Sequence, residues 1–148
     1  MRFVESEFRP PVGTFTLLVK RRGSVIERYV DRNLIVTGSK LIHAQLLGGA
    51  TANNSITQIG YGTGLSAPVV GNTSLTGAYL KAVDGVSYPL SNEVAFAFSL
   101  GSAEANGMAI GEFGLFTGGG ALYARKVRSA ALNKDTDISL SGTWTITF

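Results

Sequence analysis

The chain has 148 residues, the length of one domain, with a formal net charge of +3 and no cysteine. The missing cysteines exclude disulfide staples, thiolate chemistry and cysteine-based metal sites. Apolar residues make up 45% and charged residues only 16%, against roughly 25% charged in an average globular protein, so much of the surface tolerates contact with other proteins.

Residues 1–13 carry Glu5 and Glu7 and no apolar stretch of the kind a secretory signal needs. Pro10 and Pro11 keep this segment out of helix interiors and central strands, which predicts an extended arm. Its apolar residues Phe3, Val4 and Phe8, with Arg9, Pro10 and Pro11, are the candidate subunit interface, because exposed apolar side chains mark contact sites. Thr14 to Lys20 and Val25 to Val30 are β-prone runs around a Gly23-containing turn, predicting a hairpin over 14–31. A helix is expected over Ser39 to Leu47, capped by Thr37 or Ser39 and ended by Gly48-Gly49. Leu41, Ile42, Leu46 and Leu47 would form its docking face.

After the helix the pattern is strand and turn. Ile56 to Ile59 runs into Gly60-Tyr61-Gly62-Thr63-Gly64, then into a polar loop over 65–76. Asp84-Gly85 between Tyr79–Val83 and Val86–Leu90 predicts a second hairpin. Glu93 to Leu100 alternates, with Val94, Phe96, Phe98 and Leu100 on one side. Met108 to Phe116 and Ala121 to Val127 flank Gly118-Gly119-Gly120. The final run places Ile138, Leu140, Trp144, Ile146 and Phe148 on one face, with Gly142 in step, and polar residues on the other. Such alternation means one dry and one wet face. At about 1.5–3 kcal/mol per buried large side chain, that strand should be indispensable to the fold. No apolar run approaches the roughly 18 residues of a membrane helix, so no membrane partner and a soluble chain made in a cytoplasm are expected.

Candidate chemistry is sparse. The sole histidine, His43, has no carboxylate or second ligand beside it, so a part-buried helix residue is expected and no metal site or cofactor. Gly60-Tyr61-Gly62-Thr63-Gly64 is followed by Leu65-Ser66-Ala67-Pro68 rather than by a helix, so tight backbone turning is expected there, not phosphate binding. Glycoside cleavage would need two carboxyls about 5–10 Å apart in a cleft. Glu93, Glu104, Asp135, Asp137 and Glu112 are the candidates, with Tyr61, Tyr79, Tyr88 and Tyr123 the only aromatic supply for such a cleft. Glu112 stands out because it interrupts an apolar strand, and pairing with Arg125 across a hairpin is expected. The basic clusters Lys20-Arg21-Arg22 and Arg125-Lys126 with Arg128 fall short of the concentrated footprint of nucleic-acid binding, so no nucleic-acid partner is expected.

Four ordered segments resemble one family. They are Gly38 to Gly48, Ile56 to Gly64 with Pro68 and Leu75, Glu112-Phe113-Gly114-Leu115-Phe116 with Gly120 to Arg125, and Lys134 to Phe148. From about Leu34 onward the chain is similar to the N-terminal domain of bacteriophage tail-collar and tail-fibre proteins and their small baseplate-associated relatives. The resemblance implies a non-enzymatic virion structural protein, bound to other tail or baseplate proteins. The sequence ends at Phe148 where many members continue into a fibre shaft, so the attachment role is implied and not receptor binding. The motif residues it singles out are Gly60, Gly62, Gly64, Glu112, Gly114, Arg125 and Trp144.

The expected fold is a single mainly β domain over 1–148, an antiparallel β-sandwich with one docked α-helix and an extended N-terminal arm. It comprises the arm 1–13, the hairpin 14–31 and a core 34–148. A symmetric homo-oligomer, trimer or hexamer, is expected from the rotational symmetry of phage tails. Two further readings are a capsid decoration or neck protein and a carbohydrate-binding or polysaccharide-degrading module.

Overall fold

A computed structural model describes residues 9–148, so Phe3, Val4 and Phe8 lie outside the described residues. The chain is mainly β with one helix. Its strands are β1 (Val12–Arg21), β2 (Ser24–Ile35), β3 (Ile56–Gly62), β4 (Tyr79–Ala82), β5 (Gly85–Ser87), β6 (Glu93–Leu100), β7 (Ala109–Thr117), β8 (Leu122–Asn133) and β9 (Ile138–Thr147), and α1 spans Ser39–Leu47. They form one antiparallel sheet in the order β4-β3-β7-β8-β2-β1-β9-β6-β5, curled into a half-barrel. The curl is compatible with a sandwich because the two halves face each other. Phe15 of β1 lies 4.8 Å, centroid to centroid, from Phe113 of β7, and the Tyr61 hydroxyl of β3 donates to the Ser99 carbonyl of β6.

The first hairpin forms where alternation and turn chemistry place it. Arg21 pairs with Ser24, leaving the two-residue loop Arg22-Gly23 with φ of 50° and 82°. Two positive φ values match the twist of the flanking strands, and glycine takes the second without a Cβ penalty. The hairpin occupies the middle of the sheet and contributes Phe15, Leu17 and Val19 to the core. β2 then leaves β1 after Asn33 and pairs with β8 at Leu34 and Ile35, which joins the two halves.

β9 lies between β1 and β6, and its Ile138, Leu140, Trp144 and Ile146 are buried. Gly142 leaves room for the Phe98 ring opposite it, since a Cβ there would sit 2.5 Å from the ring. Phe148 departs from the expected pattern. It lies beyond the paired strand and is 58% exposed.

The helix has the expected bounds but not the expected face. Leu41 and Leu47 point to solvent, whereas Ile42 is buried and His43 and Leu46 are half-buried. Contact with β8 selects the face that carries residues 39, 42, 43 and 46, at true helical spacing. The N-cap is Gly38, without a side-chain cap, in place of Thr37 or Ser39.

The expected hairpin over Tyr79–Leu90 does not form. β4 pairs with β3 and β5 with β6, at opposite edges of the sheet. Only Val83 and Asp84 link them. The Val83 amide donates to Thr57 O and the Asp84 amide to Ala97 O, so the chain steps from one edge to the other and draws the edges together. A local turn signal says nothing about which strand each arm will pair with, and here two stronger neighbours claim them.

Candidate functional site

β7 is dry on both faces, buried from Ile110 to Thr117. Phe113 and Leu115 face the main core, while Phe116 joins Val36, Leu122 and Leu75 in a second small cluster. The second face is roofed by the polar loop over 63–78, and Glu112 projects into the interface between them. Its Oε1 accepts from the Thr76 amide at 2.9 Å and its Oε2 from Arg125 Nη2 at 3.2 Å. The side chains of this pair are 1% and 4% exposed. Arg125 also donates through Nη1 to Asn72 Oδ1 and through Nη2 to the Ser66 carbonyl, at 3.0 and 3.1 Å. Two charges taken out of water need such extra hydrogen bonds, because mutual attraction alone barely offsets their desolvation.

The glycines make the space. Gly62 and Gly64 border Glu112, and a Cβ on Gly62 would stand 2.7 Å from Glu112 Cγ, while one on Gly64 would overlap Glu112 Oε2. Gly60 and Gly114 face each other across β3 and β7, and each clears the Phe116 ring and Leu75. The turning role expected for Gly60, Gly62 and Gly64 is therefore corrected. Gly60 and Gly62 continue β3, and the cluster needs their missing side chains rather than unusual dihedrals.

Gly62, Gly64, Glu112 and Arg125 thus meet in one buried polar cluster, with Gly60 and Gly114 flanking it. Trp144 lies apart, in the main core, edge-on to Phe15 at 5.0 Å. Arg9 and Pro10 are exposed and Pro11 half-buried, all three outside any strand. Sequence reasoning missed Ser66, Asn72 and Thr76, whose polar loop reads as solvated. The one available signal was the expected pairing of Arg125 with Glu112, because a guanidinium has more donors than a single carboxylate can satisfy.

The other candidate groups are dispersed. Glu104 pairs with Lys81 at 2.8 Å, and Asp137 pairs with Arg21 at 3.3 Å. Lys126 and Arg128 pair with Asp31 and Glu27, so the second basic cluster is matched by acids. The Lys126 bond is the main reason the Asp31 carboxyl drops to about 2. Tyr61 and Tyr123 are buried, leaving Tyr79 and Tyr88 as the exposed members of the aromatic supply considered for a sugar cleft. Lys134 is also buried, its ammonium held by Asn106 Oδ1 at 2.8 Å and the Asp135 carbonyl at 3.1 Å, and desolvation lowers its pKa. Among the described residues no group of three or more His, Asp or Glu side chains is gathered as a metal site would require. No helix there is long and apolar enough to cross a membrane.

A concavity opens between α1, the start of β3 and the β5–β6 edge, with a volume of about 800 Å³. Ile42, Phe96, Tyr123 and Ile146 are its buried lining, and Val86, Tyr88 and Phe148 are exposed on it. His43 Nε2 lies 2.7 Å from the Tyr123 hydroxyl. Burial pushes that phenol up to about 12 and pulls the imidazole below its usual value, so both are neutral at pH 7 and share one proton-donating bond.

The fold and site thus define a small antiparallel β-domain with a loop clamped over one sheet face by a buried ion pair. Comparison with protein-family models, with curated proteins and with solved structures finds no match to this chain.

Proposed function

We propose that this chain is a structural component of a bacteriophage virion, a tail or baseplate/fibre-attachment protein that acts by packing against copies of itself and its neighbours. One observation carries the assembly part of this reading. The loop over 63–78 is fixed from beneath by Glu112 and Arg125, by the Thr37 amide on Val70 O and by Leu75, yet its Leu65, Val69 and Val70 are 50%, 57% and 57% exposed. Three large apolar side chains held still in water lose little entropy when a partner covers them, which is what a contact patch requires. The ordered resemblance to tail-collar and tail-fibre domains supports the virion part. The residues of that resemblance also cooperate physically, since its glycines make room for its Glu112. The work is mechanical, a matching of area and symmetry with no bond chemistry.

Immunogold electron microscopy of intact and disrupted phage particles tests it. Gold at the tail tip or collar is the expected result. Gold over the capsid would move the protein to a decoration role, and particles unlabelled in both states would overturn the virion reading. A glycan array and a reducing-sugar assay should both be silent; a signal in either would favour the carbohydrate reading.

A further inference from the structure

We infer that the apolar pocket beside α1 is the seat for the N-terminal arm of a second copy of this chain. The inference deepens the self-association proposed above and rests on that part of it, not on the particle.

The pocket has the right character. Its volume of about 800 Å³ lies in the roughly 300–1,000 Å³ range of concavities that enclose a compact ligand. Ile42, Phe96 and Ile146 make an apolar floor, and Val86, Tyr88 and Phe148 remain 48%, 77% and 58% exposed around it. Such a contiguous exposed apolar surface marks a contact site.

The arm leaves the domain at the same end. Val12 is paired with Thr147, and Thr147 is paired on its other side with Glu93, which lines the pocket. The next residue, Phe148, donates its amide to Asn92 O at 2.9 Å, and both residues also line the pocket. One strand spacing, about 4.8 Å, therefore separates the start of β1 from the strand that ends in the pocket wall.

The arm carries matching chemistry. Residues 1–8 hold Phe3, Val4 and Phe8 among Arg2, Glu5, Ser6 and Glu7, and eight residues reach at most about 26–29 Å. Two aromatic rings and a valine are cargo for an apolar floor. A second copy is favoured over the arm's own domain because Arg9 and Pro10 each precede a proline, which holds them extended, and both are exposed. Copies that each give an arm and receive one close into a ring if the exchange is head to tail, which suits the rotational symmetry proposed.

The lack of native cysteine makes the test direct. Two differently tagged chains, one Phe3→Cys and one Val86→Cys, are co-expressed and treated with a short bis-maleimide. A covalent heterodimer on a denaturing gel is expected, lost when the second chain also carries Tyr88→Asp at the exposed rim. Cross-linking seen only within one chain that carries both cysteines would place the arm in its own pocket and overturn the exchange. No cross-link in either format would overturn the pocket as the seat. Removing residues 1–8, which leaves β1 intact, should reduce the light-scattering mass to that of a single chain with little change in Tm; an unchanged mass would overturn the proposal. Unlabelled particles alongside a positive cross-link would remove the virion reading and leave the exchange standing, and gold-labelled particles without the cross-link would do the reverse.

Discussion

In the half of the sheet built from β1, β9 and β6, the interior is an alternation of apolar side chains, with Phe15, Phe98 and Trp144 packed ring against ring. In the half built from β3, β7 and β8, β7 is buried on both faces, and its second face carries glycines and a charged pair under a loop. Beyond its strand pairing, the first half is held by the burial of apolar side chains, so its stability depends on volume and shape. The second depends on mutual satisfaction of polar groups, where removing one member strands the others. The difference teaches that a dry strand face need not be an apolar one, provided the covering segment brings its own hydrogen bonds.

Variants that break each half separate the two kinds of cohesion. The largest effect is expected from ending the chain after Leu140. This deletes most of β9, the strand that joins β1 to β6, and circular dichroism should show an unfolded protein. Trp144→Ala, a truncation in a fully buried site, should lower stability by about 3–5 kcal/mol in chemical denaturation. Glu112→Gln should cost about 3–5 kcal/mol, because the buried Arg125 charge keeps its desolvation but loses its counterion. Adding Arg125→Met to Glu112→Leu should recover only part of that loss, since Ser66 and Asn72 lose their donor as well. Full recovery would mean the pair is not what clamps the loop.

Gly64→Ala should cost about 1–3 kcal/mol through overpacking against Glu112, whose carboxylate is pinned by Arg125 and Thr76 and has no room to yield. Limited proteolysis should then cut within 65–76 sooner than in the parent protein. The smallest effect concerns pH. Desolvation lowers the His43 pKa in the folded protein, so below pH 6.5 the unfolded chain takes up a proton that the folded chain resists. Stability is therefore lost as pH falls through 6.5 toward the folded value and is regained above it. Tm measured at pH 5 and 7.5 should show this component, and His43→Gln should remove it.

Most of the alternating half was legible in the residues. The β1–β2 hairpin, the face of β6 and the face of β9 follow from period-two patterning, which reports directly on which side of a strand is dry. The helix bounds were legible from Gly48-Gly49, but its docking face was not, because four leucines and isoleucines sit where two suffice and only β8 selects between them. In the candidate site, the Glu112–Arg125 pair was readable because a carboxylate inside an apolar run demands a cation. Its roof was not, since Ser66, Asn72 and Thr76 belong to a segment whose composition is that of any solvated loop.

By itself, then, the sequence determined the class of fold, the strand faces and the existence of one buried charge pair, all of them consequences of local periodicity and of residue chemistry. Tertiary structure alone decided the separation of β4 from β5, the role of Gly60, Gly62 and Gly64 as space for Glu112, and the pocket beside α1. Each of these depends on which distant segments become neighbours. That choice is made by the free energy of the whole packed chain, which no window of local pattern contains.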